Sequence, residues 1–95
     1  MNHFVYKIYS DNSDKIYIGY TKNIKRRFWQ HKRNSTKRNQ KIYNYPISKF
    51  IRDNNNNIKL KLLHTYEKKN EALNKETELI QSIDIEKTLN IKKIK

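Results

Sequence analysis

Phe4-Val5-Tyr6-Lys7-Ile8-Tyr9, then a polar Asp11-Asn12-Ser13-Asp14, then Lys15-Ile16-Tyr17-Ile18-Gly19-Tyr20 form the stretch on which the fold turns. β-Branched and aromatic side chains dominate both apolar segments, and such side chains suit a pleated, half-buried surface. The four residues between them are turn formers, whose short polar groups hydrogen-bond to the nearby backbone. Two strands, Phe4–Tyr9 and Lys15–Tyr20, are therefore expected to pair as a hairpin.

Working outward, Asn23 is a good helix N-cap, and a first helix is expected from there to about Arg33. Ser35–Lys41 is polar and basic and reads as a loop. Pro46 suits the first turn of a second helix running through Arg52, with the asparagine run at 54–57 as the loop after it. Ile58, Leu60 and Leu62 alternate with Lys59 and Lys61, the period of a half-buried strand. Glu67–Asn70 is polar, Glu71–Ser82 reads as a third helix, and the tail beyond Ile85 is weakly patterned. With no internal repeat and no linker, the expectation is one α+β domain spanning residues 1–95.

Composition narrows the function. Only 35% of the 95 residues are hydrophobic, so the core must be small. Seven Tyr, three Phe and one Trp nevertheless argue against disorder, which is poor in aromatics. The absence of cysteine excludes a disulfide framework, a thiolate zinc site and a cysteine nucleophile. No apolar run is long enough for a membrane span or a secretory leader, so an intracellular, non-membrane protein is expected. The net charge is +13, and twelve basic residues lie between Lys15 and Arg52 with no acid among them. Charge of one sign at that density calls for a polyanion. Nucleic acid is favoured over a membrane surface because no helix pairs this charge with a broad apolar face. Lys22, Lys25, Arg26, Arg33, Lys37, Arg38 and Lys41 are the candidates to contact it.

Three positions stand out on physical grounds. Gly19 is the single glycine, where average usage of about 7% predicts roughly six or seven. It sits in a strand, where glycine weakens structure unless another group must come close. In the third helix Ala72, Leu73, Leu79, Ile80 and Ile83 form one apolar stripe at about 100° per residue, and Glu76 falls at its centre while Glu78 points the opposite way. A carboxylate there needs a salt-bridge partner, hydrogen bonds or a metal ion. In the first helix Ile24 and Phe28 set the apolar direction, with Arg27 at about 300° and His31 at about 340° bordering it and Arg26 at about 200° facing solvent. An arginine so placed can clamp a phosphate with its guanidinium fork, or simply snorkel from the rim.

These residues carry a resemblance. Phe4-Val5-Tyr6, then Tyr17-Ile18-Gly19, then Arg27 and His31, then Glu76 within EALNKETELIQ, and finally Asn90 within TLN together resemble the GIY-YIG nuclease family. The likeness covers nearly the whole chain in the family's order, and is nearest to stand-alone catalytic domains of the phage or viral homing type. Phe4 replaces the first motif's glycine, whereas the second motif is intact. The resemblance implies an α+β fold, with a small three-stranded antiparallel sheet flanked by three helices, and metal-dependent hydrolysis of a DNA phosphodiester. It further implies that Glu76 holds one divalent cation, Mg²⁺ or Mn²⁺, and that Arg27 neutralises the scissile phosphate. Tyr6 would serve as general base or orient the attacking water, helped by His31 as proton relay. Tyr17 would position water and phosphate, and Asn90 would steady the site from the C-terminal side. The implied partner is duplex or branched DNA, with no small-molecule cofactor. Homing and restriction relatives carry separate recognition segments, for which 95 residues leave no room, so a low-specificity nicking or repair-type nuclease, a stand-alone viral or phage enzyme, or an excised domain is expected. The rival reading is a non-catalytic basic module, which needs only the charge and exposed aromatics.

Overall fold

The alternation in FVYKIY becomes β1 (His3–Tyr9), the central strand of a three-stranded antiparallel sheet in the computed structural model, which describes residues 2–55 and 57–90. β2 (Tyr17–Thr21) pairs on one side, with Tyr6 opposite Gly19 and Ile8 opposite Tyr17. β3 (Lys59–Tyr66) pairs on the other. Three α-helices among the described residues complete the α+β fold: α1 (Ile24–Asn34), α2 (Pro46–Asp53) and α3 (Lys69–Ser82), with a 3-10 turn at Lys41–Asn44 before α2. Asn23 caps α1 as its type predicts, its Oδ1 accepting from the Arg26 N–H at 3.1 Å.

β1 is covered on both faces. Tyr6 and Ile8 pack on Ile47, Phe50 and Ile51 of α2, with Ile58 and Leu89 closing the cluster and Ile24 and Phe28 of α1 at its edge. Val5 and Ile18 pack on Ala72 and Ile80 of α3. Each large apolar side chain so buried is worth about 1.5–3 kcal/mol, and this chain has few of them, so each one matters. Among the described residues no helix is long and apolar enough to cross a membrane.

Three expectations need correction. The alternation at Ile58, Leu60 and Leu62 holds for the first two, but Leu62 is 47% exposed. A register shift between Val5 and Tyr6 inserts an extra residue into β3: Tyr6 faces Leu62 while Val5 faces His64. Such a bulge re-aims the side chains beyond it, and Leu63 and Tyr66 turn to pack on the Val5 cluster instead. In α3, Leu73 lies at the rim rather than inside the stripe. The tail, which reads as weakly patterned, runs along the open edge of β2: the Ile16 N–H donates to Lys87 O and the Leu89 N–H to Ile16 O, both at 2.9 Å. An uncovered edge strand invites pairing with other chains, and this segment covers it. Residue 56 of the expected asparagine loop and residues 91–95 lie outside the described part.

Candidate active site

Arg27, His31 and Asn34 recur at four and three residues along α1, so they share one face. That face, Tyr17 of β2, Glu76 and Thr77 of α3, Ser48 of α2 and Asn90 of the tail surround a cleft of about 480 Å³. The cleft thus collects Tyr17, Arg27, His31, Glu76 and Asn90. Tyr6 does not line it: its ring is fully buried beneath, and its hydroxyl lies 2.9 Å from His31 Nε2. With the imidazole proton on Nδ1, the phenol is the donor of that bond. The His31 ring meets Tyr17 edge-on at 4.9 Å and Tyr6 at 6.2 Å between centroids, so the two phenols and the imidazole form one cluster.

Gly19 explains itself here. The Tyr6 ring crosses β2 directly over it, and a Cβ at position 19 would overlap Tyr6 Cζ and Oη. Glycine is retained because the aromatic occupies the space of its side chain. Gly19→Ala is expected to lower stability by about 1–3 kcal/mol, the usual cost of overpacking, and to displace the Tyr6 hydroxyl from His31. Thermal unfolding checks the first effect; an unchanged midpoint would refute it.

Burial dominates the electrostatics. It pushes both the Tyr6 and Tyr17 phenols up, and the Arg27 charge beside them offsets part of the rise. His31 is pushed down to about 4 by burial, with a further contribution from Arg27, so it is neutral at pH 7. Burial raises the Glu76 carboxyl, and Arg27 works against that. Arg27 itself is oriented by a hydrogen bond from Nη1 to Gln30 Oε1 at 3.3 Å.

The His31 shift has a stability consequence. Its folded value of about 4 lies below the ordinary 6.5, so between those pH values the unfolded chain binds the extra proton and the folded chain does not. Stability is therefore lost as pH falls from about 6.5 to about 4, by about 3 kcal/mol from this group. Chemical denaturation at pH 7 and pH 4 should show a markedly smaller loss in His31→Gln than in the wild type; equal losses would contradict the buried neutral imidazole.

The half-buried Glu76 carboxylate makes no ion pair or hydrogen bond among the described residues. A salt bridge, one of the explanations left open for a carboxylate on an apolar stripe, is thus not how it is accommodated. No three His, Cys, Asp or Glu side chains gather among those residues to form an all-protein metal cage. A lone unpartnered carboxylate facing a cleft fits a hard divalent cation that takes its remaining ligands from water and phosphate.

Asn90 has a defined role in the architecture. Its Oδ1 accepts from the Ile18 N–H at 3.0 Å and its Nδ2 donates to the Ile18 C=O at 2.7 Å. The side-chain amide thereby imitates a neighbouring strand and fixes the backbone between Tyr17 and Gly19.

A family model described as the GIY-YIG catalytic domain matches residues 2–88. The chain belongs to the GIY-YIG family. No curated protein and no solved structure matches it. GIY-YIG domains are nucleases, hydrolases that act on nucleic acids, and the three-stranded antiparallel sheet with three helices agrees with that membership.

The basic residues of this GIY-YIG domain divide into groups. Lys22 and Arg26 join Arg27 at a groove beside the cleft. Lys25 and Arg33 lie exposed on α1, Arg33 stacking on the exposed Trp29 at 5.3 Å. Lys37, Arg38 and Lys41 follow in the segment after α1, where Lys37 is half-buried and the other two are exposed. None of the three ion pairs among the described residues (Lys59–Asp11, Lys75–Glu78, Lys87–Asp14) draws a cation from the Lys15–Arg52 stretch, so its charge is uncompensated. The sequence reading missed Asn34, Ser48 and Thr77. Asn34 was accessible to it, being the next step of the Arg27–His31 stripe; Ser48 carries no sequence signal.

Proposed function

We propose that this chain is a metal-dependent DNA endonuclease acting on duplex or branched DNA inside the cell. The observation that carries this reading is the convergence of one unpaired carboxylate, Glu76, and one guanidinium, Arg27, on a cleft whose wall holds a tyrosine–histidine cluster. A phosphodiester resists attack because its charge repels hydroxide and its alkoxide leaves poorly, so preorganised positive charge is the main catalytic need.

Glu76 is the residue that would hold Mg²⁺ or Mn²⁺, which when bound supplies Lewis-acid stabilisation of charge on the phosphorane and the leaving 3′ oxygen. Arg27, oriented by Gln30, neutralises the scissile phosphate. Tyr6 acts as a neutral phenol: its hydroxyl gives a proton to His31 Nε2 as its oxygen takes one from the attacking water. A neutral His31 is the state that can accept it. Tyr6 is fully covered, so its hydroxyl reaches the attacking water only after a side chain above it moves. Tyr17 then positions water and phosphate, and Asn90 holds the Tyr17–Gly19 backbone in place.

Incubation with duplex, flap and single-stranded DNA plus Mg²⁺ or Mn²⁺, with an EDTA control, tests the proposal. New ends that depend on metal are expected. Binding without any cleavage would instead identify a non-catalytic basic module, and cleavage insensitive to EDTA would overturn the metal role.

A further inference from the structure

We propose that the open groove beside the cleft is a second phosphate subsite, which holds the backbone phosphate adjacent to the scissile one on the strand being cut. This deepens the nuclease reading and rests on it. The groove encloses about 410 Å³, and its walls bring together Lys22 from the turn after β2, Arg26 and Arg27 from α1, and Lys69 from the start of α3. Four cations from three elements thus face one space, and no carboxylate lines it. None of the four takes part in an ion pair among the described residues. Like charges gathered without a counter-charge repel one another and destabilise the free protein, a cost that an anion in the groove removes.

Arg27 identifies the anion. It is the common wall of the cleft and the groove, so a ligand that satisfies both must present two anionic groups in succession, one on either side of a single guanidinium. Consecutive phosphates of a nucleic acid strand have that form. The wall is also preorganised: Gln30 holds Arg27, and His3 Nδ1 holds the Tyr20 hydroxyl at 2.7 Å. Lys69 is absent from the basic Lys15–Arg52 stretch and reaches the groove only because α3 begins beside β2, so this assignment adds a strand-binding residue that charge patterning alone does not reveal.

Two measurements on the full chain test the subsite, using Lys22→Ala/Lys69→Ala against the charge-matched control Lys49→Ala/Lys61→Ala. All four lysines are exposed, with no hydrogen bond or ion pair to lose. First, binding to duplex DNA is followed by anisotropy in EDTA across a salt series, where each neutralised phosphate contributes about 0.9 to the log–log slope. The groove variant should show a slope shallower by about 1 and the control an unchanged slope. Equal slopes in groove variant and wild type, or equal changes in both variants, overturn the subsite whatever the cleavage result. A shallower slope in a chain that never cleaves overturns the nuclease reading and leaves the groove standing as a phosphate site. Second, single uncharged methylphosphonate linkages are walked along the cleaved strand. At one position next to the scissile phosphate the wild type and control should lose about tenfold in kcat/KM, and the groove variant no more than twofold. A flat scan, or the same scan in all three proteins, overturns the adjacency. Competition by inorganic phosphate together with a flat scan would assign the groove to free phosphate instead of the strand.

Discussion

Glu76→Ala is expected to cut DNA at least ~10²–10³-fold more slowly than the wild type while folding normally and binding DNA in EDTA as tightly as before. Loss of a single electrostatic stabiliser commonly costs that much. The fold should survive because the Glu76 carboxylate makes no hydrogen bond or ion pair among the described residues, and burial already disfavours its charged form. Removing it leaves no partner stranded, which is the usual source of large destabilisation at a buried charge. Binding should hold or improve, since one negative charge leaves a surface that attracts phosphate. Glu76→Gln keeps the volume and removes only the charge, and should behave like the alanine variant. Cleavage by either variant at the wild-type rate would sink the metal-ligand assignment.

Arg27→Ala should be nearly as damaging to turnover, by ~10²–10³ at saturating DNA, whereas Arg26→Ala should mainly weaken binding. The two are neighbours in sequence and about 100° apart around α1. Arg27 is half-buried and faces the cleft, the two phenols and His31, while Arg26 is exposed and reaches only the groove. A pH profile provides a second readout. Arg27 helps hold the His31 imidazole below its ordinary value, after burial, so its removal should move the acid limb of residual activity to higher pH; Arg26→Ala should leave that limb in place. Equal effects of the two substitutions on kcat would undo the distinction between the faces.

Part of this site was legible because local geometry is periodic. The placement of Glu76 on an apolar stripe, and of Arg27 and His31 four residues apart beside Phe28, follows from helical rotation alone. Gly19 was conspicuous through scarcity, but its reason, the Tyr6 ring lying across it, is a cross-strand contact that one strand's sequence does not contain. Asn90 was named only through the family pattern. The tail around it lacks alternation because Leu89 alone enters the core and the rest is held through backbone hydrogen bonds and one side-chain amide, groups that leave no hydrophobic signature. The bulge in β3 escaped for a related reason: register depends on the partner strand, and the Ile58–Leu62 alternation ends just before Leu63, where the pairing shifts.

The amino-acid order by itself determined an α+β chain with a hairpin at its start, an uncompensated basic stretch that selects a polyanion, and one acid and one arginine on the inner edges of different helices. Those are consequences of residue type and of periods spanning a few neighbours. Only the tertiary structure decided that the two edges border the same cleft, that Tyr6 lies beneath its floor behind His31, and that Lys69 joins Lys22 and Arg26 at a common groove. Such meetings depend on how helices cross a twisted sheet. That crossing is set by the summed packing of Val5, Ile18, Ala72 and Ile80 on one side and of Tyr6, Ile8, Phe50 and Ile51 on the other, and no short window of sequence holds both sides at once.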